Sequence, residues 1–319
     1  MIDEREALAG LRILVAIAKA DGKYDDREKE VLEKYFAELT FPAGVSVQSV
    51  FDDPGDFDAA CAAIKSNEGR RAVFGGAVAV AVADRSKSRE EGQLLARLRE
   101  SFNMEESVST AADSLYNRLL GRTGAFTRKD IQPIADPELR EHKVHDAIRR
   151  AAMWGALYGW LPAPFVDVLL LNSLQLQLAN EIATYWGQPF SNKETLGALA
   201  GAVGVNTLTF ASLSLLKLVP VWGHAAGSAS GFAITTAFGR VVNEYFKGQG
   251  EKTKEELRAS FDVARDQAKR EYGLEKVRIV ELSKDREAKL AALAREFEIG
   301  AIGVEEFERA VEKLHDSST

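Results

Sequence analysis

Two short acidic stretches carry the side chains that a divalent metal ion prefers as ligands. The first stretch holds Asp21, Asp25 and Glu28, and the second holds Asp84 and Glu91. Carboxylate oxygens bind hard cations such as Ca²⁺ and Mg²⁺. The spacing from Asp21 to Glu28 is too short for an EF-hand, whose loop needs about twelve residues. The pattern therefore predicts a metal-binding or partner-binding patch, without calcium binding of the EF-hand type.

The same carboxylates also have a structural explanation. Glu28 follows Asp25 by three residues, and Glu91 follows Ser88 by three, which is the spacing of a capping box at a helix N-terminus. The aspartate that precedes each box stands where turn-forming residues belong. Capping and ligand binding are thus both open at these positions.

No other group of residues predicts catalysis. His142 and His145 could share one face of a helix, but no third metal ligand lies nearby in the sequence. Cys61 is the only cysteine, which excludes an internal disulfide, and it lies in an alanine-rich amphipathic stretch typical of a protein core. No glycine-rich phosphate loop follows a strand-like stretch. We therefore expect a protein that is not an enzyme and that works in a reducing compartment.

A repeat organises the N-terminal region. Residues 15–21 (VAIAKAD) are echoed by residues 78–84 (VAVAVAD), 63 residues later. In both copies a polar turn and a capping box follow, and apolar pairs come next in register. Each copy predicts a helix, a short turn and a second, capped helix. Two such hairpins are expected to pack as a small helical bundle.

The turns of this repeat carry a motif, which is Ala20-Asp21-Gly22 followed by Glu28, and Ala83-Asp84 followed by Glu91. The motif resembles the TerB family of tellurite-resistance-associated proteins, which includes the N-terminal region of the DjlA co-chaperone. The resemblance covers roughly residues 5–120. Arg85 stands where the family often has glycine, so the two turns differ. The resemblance implies a stress-response role and a metal- or partner-binding patch at the acidic turns.

Charge divides the chain into regions. The net charge of −7 argues against nucleic-acid binding, which needs clustered Lys and Arg. Residues 146–240 hold only 4 acidic and 5 basic side chains, between two charge-rich regions. Before this block, Asp136-Pro137 predicts a helix start after a stretch rich in Gly, Pro and Thr. We expect an N-terminal bundle (1–120), a linker (121–144), a hydrophobic domain (145–247) and a charged tail (248–319).

The hydrophobic domain predicts helices that lie in or against a membrane. Residues 195–216 and 218–239 are each 22 residues long without a charge, and about 20 such residues suffice to cross a hydrocarbon layer. Polar residues such as Asn206 and His224 leave a soluble core as the alternative. Glycines recur four residues apart, a spacing that lets helix backbones approach closely in lipid; the pairs are Gly155/Gly159, Gly197/Gly201, Gly223/Gly227 and Gly227/Gly231.

Several positions of this domain form a second motif, namely Pro162, Pro164, Asp167, Lys217, Pro220 and Gly239. The prolines predict a broken helical hairpin. Asp167 and Glu181 are either carboxylates inside a membrane domain or turn residues that face water. The pattern resembles the helical domain of YcjF-like inner-membrane proteins, which also accompanies some GTPases, and it covers roughly residues 145–247. The resemblance implies association with a membrane and a GTPase partner, and it brings no catalytic residues.

The charged tail predicts further helices. Charges of alternating sign, with Leu257, Phe261 and Ala264 at helical spacing, are typical of a solvated helix or a coiled-coil arm. Two short helical stretches then meet at a turn that contains Gly300 and Gly303. They resemble the SHOCT oligomerisation hairpin, which implies a homo-oligomer. A frayed charged tail is the alternative.

We expect an all-α protein with a duplicated helical-hairpin bundle, a hydrophobic broken-helix domain and a charged helical tail. The leading functional hypothesis is a non-catalytic, membrane-associated adaptor in a stress response, attached to the inner membrane with both ends in the cytoplasm. The alternatives are a soluble cytoplasmic scaffold and a metal-responsive regulator that binds a divalent ion.

Overall fold

The computed structural model describes residues 3–20, 46–81, 88–104, 131–161, 166–188, 224–283, 286–298 and 301–316. Within these ranges the regular elements are helices and no strand occurs, which confirms the all-α prediction. Most buried apolar side chains there belong to one continuous core, and a small second cluster lies beside the charged tail.

The N-terminal region is a bundle of short helices. They are α1 (Glu4–Ala18), α2 (Val47–Asp52), α3 (Phe57–Ala63), α4 (Asn67–Ala81) and α5 (Arg89–Phe102). Both bounds of α4 lie 63 residues after those of α1, which is the offset of the sequence repeat. These two helices pack against each other, and α5 packs against both of them. The equivalent first helices of the two repeats therefore form the centre of the bundle.

Local sequence determines where these helices begin and end. Asp3 caps α1, because its carboxylate accepts a hydrogen bond from the Glu6 amide at 2.8 Å. The predicted capping box of α5 is confirmed. The Ser88 hydroxyl accepts from the Glu91 amide at 3.1 Å, and the Glu91 carboxylate accepts from the Ser88 amide at 2.7 Å. Asn103 ends α5 in the left-handed conformation, with a φ of 50°.

Glu6 joins the two repeats. Its buried carboxylate accepts hydrogen bonds from the Lys65 amide at 2.6 Å, the Ser66 amide at 2.7 Å and the Ser66 hydroxyl at 2.6 Å. Both amides come directly before α4, and the first N–H groups of a helix need partners from outside it. A negative charge is also favourable at this end of a helix dipole. Glu6 of α1 thus caps the first helix of the other repeat.

The middle region consists of α6 (Pro137–Trp160), α7 (Val166–Tyr185) and α8 (His224–Lys247). The predicted start of α6 is confirmed, since Asp136 accepts a hydrogen bond from the Leu139 amide at 2.7 Å and Pro137 opens the first turn. Residues 137–144, which we expected in the linker, therefore lie in a helix. α6 and α7 pack together as the predicted hairpin, and α8 packs against both.

Glycine lets α6 and α8 cross with their backbones in contact. A Cβ atom on Gly231 would overlap the Gly155 carbonyl oxygen and lie 3.2 Å from the Cα of Gly159. A Cβ atom on Gly155 would lie 2.6 Å from the Gly231 carbonyl oxygen. Interior side chains cannot move far enough to admit such an atom, and the contact here is with backbone. The close approach predicted from the glycine spacing is confirmed for Gly155 and Gly159, and their partner is Gly231.

The charged tail begins with the 30-residue helix α9 (Lys254–Ser283), which packs along α8 and also contacts α6. As the helical spacing predicted, Leu257, Phe261 and Ala264 form its buried face. The Tyr272 hydroxyl lies 3.1 Å from the Ser228 hydroxyl of α8. α9 is thus an amphipathic helix that covers part of the middle region.

The last two helices are α10 (Arg286–Glu298) and α11 (Val304–Asp316). They form the predicted short hairpin. The rings of Phe297 and Phe307 lie 5.0 Å apart, and Leu290 and Val311 are fully buried. The end of the chain up to Asp316 is therefore helical rather than frayed.

Replacing Glu6 tests the cap between the repeats. In Glu6→Ala three donors lose their acceptor, so we expect the free energy of unfolding to fall by about 1–3 kcal/mol. Urea unfolding followed by circular dichroism measures this change. Glu4→Ala, an exposed glutamate two residues earlier, is the control and should change stability by less than about 0.5 kcal/mol. Equal effects of the two substitutions would contradict the cap.

Two glycine substitutions test the helix crossing. Gly231→Ala inserts a methyl group into the α6–α8 contact, and we expect a loss of about 1–3 kcal/mol. Gly273→Ala is the matched control within α9, where a Cβ atom would meet nothing within 4 Å. Because alanine favours a helix, this control should gain about 0.5–1 kcal/mol. Thermal unfolding of both variants shows whether each substitution raises or lowers stability. A rise in stability in Gly231→Ala would disprove the contact.

Candidate functional site

The candidate site is the middle unit, which we define as α6, α7 and α8. One face of α7 is buried and apolar, and the polar Ser173 and Gln175 are buried on the same helix; the apolar face includes Leu170, Leu171, Leu174, Leu178 and Ile182. A helix buried over most of its surface requires cover from protein or from lipid. α7 also packs against α4 of the N-terminal bundle. The middle unit is therefore in contact with the N-terminal bundle through α7.

Most of the residues singled out from the sequence lie outside the described ranges. The predicted acidic patch at Asp21, Asp25, Glu28 and Asp84 lies outside them. The same holds for the predicted domain motif at Pro162, Pro164, Lys217 and Pro220, and for the first uncharged run, residues 195–216. The second uncharged run is described from His224 onward, where it forms the first part of α8.

Three of the predicted residues are described, and the structure does not bring them together. The carboxylate of Glu91 is buried and used in the capping box of α5. Asp167 lies fully buried in the first turn of α7, where the helix dipole favours a negative charge. Gly239 serves packing, because a Cβ atom there would lie 2.7 Å from Ile148 and 2.9 Å from Leu178. Each of these residues thus has a role within its own helix or helix contact.

Glu181 lies in the last part of α7 rather than at a turn. Its carboxylate accepts a hydrogen bond from the Arg150 guanidinium at 2.6 Å and one from the Tyr185 hydroxyl at 2.8 Å. Its side chain is only 12% exposed. Charge pairing therefore explains how this carboxylate is accommodated next to an apolar helix pair.

A polar cluster that the sequence did not predict ties the ends of the three helices together. The indole N–H of Trp186 donates to the Asn243 side-chain oxygen at 2.8 Å, and the Asn243 amide donates to Glu141 at 3.1 Å. Lys247 donates to the same carboxylate at 2.9 Å. The hydrogen bond from Lys247 is the main cause that lowers the pKa of Glu141. Arg140 completes the cluster, with its guanidinium 3.9 Å from the centre of the Trp186 ring.

A cleft of about 280 Å³ lies between α6, α8 and α9. Its walls combine apolar side chains such as Phe232 with two ion pairs. Arg149 of α6 donates to Glu275 of α9 at 2.7 Å, and Arg240 of α8 donates to Glu271 of α9 at 2.8 Å. Both arginines are thus engaged with carboxylates of α9. The cleft therefore has the character of a helix-packing seam.

The histidines and the cysteine considered in the sequence lie apart from one another in the structure. His142 and His145 are exposed on α6, and His142 lies 3.5 Å from Asp146. Cys61 lies in the core of the bundle on α3, as expected of a small apolar side chain. Burial, followed by the nearby charge of Asp58, raises the pKa of its thiol from 9.0 to about 11. No group of three or more potential metal ligands occurs among the described residues.

The described helices differ in length and in hydropathy. In that part of the chain, none is both long enough and apolar enough to span a membrane.

Comparison with known proteins gives one relative to report. The chain is 25% identical over 127 residues to a protein named Magnetosome membrane protein 22 from Magnetospirillum gryphiswaldense. The match covers 37% of this chain and 65% of that protein, so it spans less than two thirds of the relative. No family model matches the chain, and no solved structure matches it. These comparisons leave the TerB, YcjF and SHOCT resemblances as predictions.

The state of Cys61 can be tested by alkylation. A thiol whose pKa is raised from 9.0 to about 11 has about a hundredfold less thiolate at pH 8. We expect iodoacetamide to leave the folded protein unmodified at pH 8. It should modify Cys61 fully in about 6 M guanidinium chloride, which unfolds most domains. Mass spectrometry of the intact chain gives the extent of reaction. Rapid labelling without denaturant would show that Cys61 is accessible.

Proposed function

We propose that this protein is a non-catalytic, membrane-associated helical adaptor. The observation that carries the proposal is the construction of the middle unit, in which α6 and α8 touch through Gly155 and Gly231 while most described side chains of α7 are buried. Helices in lipid associate through small residues, because lipid provides no hydrophobic driving force between them. The similarity to a magnetosome membrane protein supports the same conclusion.

In this proposal the regions of the chain have separate roles. The middle unit, together with the YcjF-like pattern of residues 145–247, provides the attachment to a membrane and the contact with a GTPase partner. The TerB-like bundle faces the cytoplasm and binds a protein or a divalent ion at its acidic turns. The SHOCT-like hairpin of α10 and α11 joins copies of the chain. No part of this scheme requires a catalytic residue.

A soluble helical scaffold is the second candidate, and the position of α9 favours it. α9 lies along α8 with its apolar face buried, and its glutamates pair with Arg149 and Arg240. A charged, amphipathic helix with these contacts covers part of the middle unit and keeps that part away from lipid. Under this alternative the apolar helices are the interior of a larger bundle.

Membrane fractionation of the full chain distinguishes the two candidates. Cells expressing the protein are broken without detergent, and the membranes are washed first with salt and then with alkaline carbonate. We expect the protein in the membrane pellet after the salt wash. Retention after carbonate supports insertion into the lipid, and release by carbonate supports binding at the lipid surface.

Flotation of the pellet in a sucrose gradient is the control for aggregation, because aggregated protein does not rise with lipid. Recovery of the whole protein as a monodisperse species in the first soluble fraction would contradict membrane association and support the scaffold. Protein that pellets but does not float with lipid would also contradict membrane association.

A further inference from the structure

α9 carries a second apolar face that its own chain leaves exposed. Within the described ranges, five large apolar side chains are exposed, and four of them lie on α9. Leu274 is 86% exposed and Val277 is 71% exposed, one helical turn apart. Val263 and Val280 are the other two. Single exposed apolar residues are common, but exposed apolar residues that adjoin on one helix face form a patch, and such patches mark interaction surfaces.

The spacing of this face is that of a helix-pairing seam. Arg270, Leu274, Val277 and Glu281 follow one another at intervals of four, three and four residues. This is the heptad pattern that keeps one stripe of side chains facing another helix. All four residues are exposed. The opposite face, with Leu257, Phe261 and Ala268, is already buried against the middle unit.

We propose that this stripe pairs with the same stripe of a second copy of the chain, with the two helices antiparallel. In an antiparallel pair centred between Glu275 and Lys276, Leu274 of each copy meets Val277 of the other. The same register places Arg270 of each copy opposite Glu281 of the other. Twofold symmetry then repeats both contacts, so the stripe is complementary to itself.

Charge selects this arrangement over the parallel one. A parallel pair in register would place Arg270 against Arg270 and Glu281 against Glu281, and like charges in such positions are unfavourable. The antiparallel pair replaces both repulsions with attractions. The apolar part of the stripe is short, so we expect a weak dimer with a Kd of about 1–100 µM. Pairing through α9 uses a different surface from the α10–α11 hairpin and does not rest on membrane association.

Sedimentation equilibrium of the purified full chain tests the pairing, in the same buffer or detergent for every variant. We expect self-association whose Kd rises by about tenfold in Leu274→Gln. Any association through the α10–α11 hairpin is the same in every variant. Leu139→Gln is the matched control, because Leu139 is also an exposed leucine, 49% exposed, but lies on α6. It should leave the Kd unchanged. Since both positions are exposed, neither substitution should alter the circular dichroism spectrum.

Charge reversal tests the antiparallel register. Arg270→Glu and Glu281→Arg should each raise the Kd, and the double variant R270E/E281R should restore it, because the pair is then reversed but intact. A parallel dimer would not show this restoration.

Four results would overturn the proposal. They are a monomer at all concentrations up to about 100 µM, a dimer whose Kd is unaffected by Leu274→Gln, equal weakening by Leu274→Gln and Leu139→Gln, and a double variant as weak as its parents. Failure of the membrane fractionation would not affect any of these readouts, so the two proposals can fail separately.

Discussion

The contact between the backbones of α6 and α8 is the constraint on which the middle of this protein depends. Gly231 meets Gly155 and Gly159, and one further stretch along the pair Gly239 meets Ile148. The partners run in opposite directions along the chain, so the two helices are antiparallel. The contact positions on α8 are Gly231, Thr235 and Gly239, which are four residues apart. This is the row that forms ridges and grooves between packed helices. No side chain lies between the backbones at this crossing point, and a Cβ atom on Gly231 would overlap the Gly155 carbonyl oxygen.

The crossing of α6 and α8 also determines which polar side chains of the two helices meet. It brings Asn243 and Lys247 at the end of α8 beside Glu141 near the start of α6. It also forms the seam along which α9 lies. The ion pairs of Arg149 and Arg240 with α9 are partly exposed, and such pairs contribute little to stability and are screened by salt. The apolar contacts of α9 therefore hold it in place, and the ion pairs mainly align it.

Local signals in the sequence predicted local structure well. The 63-residue repeat predicted two equivalent helices, and α1 and α4 have equivalent bounds. The Ser88–Glu91 box and the Asp136 cap were also predicted, because each depends on residues only three positions apart. The glycine spacing indicated that backbones would meet. It could not indicate which helices meet, because Gly155 and Gly231 belong to separate helices with a third between them.

Contacts between distant residues could not be predicted from one sequence. Trp186 and Asn243 look unremarkable in isolation, and their hydrogen bond exists only because three helices end side by side. For the acidic residues, the sequence left capping and ligand binding both open. Glu91 proved to be a cap, whereas Asp21 and Asp84 lie outside the described ranges. The exposed stripe on α9 could not be told apart in the sequence from the buried face of α9, because both faces have the same helical period.

The cap formed by Glu6 has a consequence for the order of events during synthesis. Glu6 is synthesised before its partners Lys65 and Ser66, which follow 59 and 60 residues later. A chain is elongated at about 5–20 residues per second, so α1 waits for several seconds with a carboxylate and an apolar face that have no native partner. Until Lys65 and Ser66 have been made, the first helix of the bundle is open to chaperones and proteases.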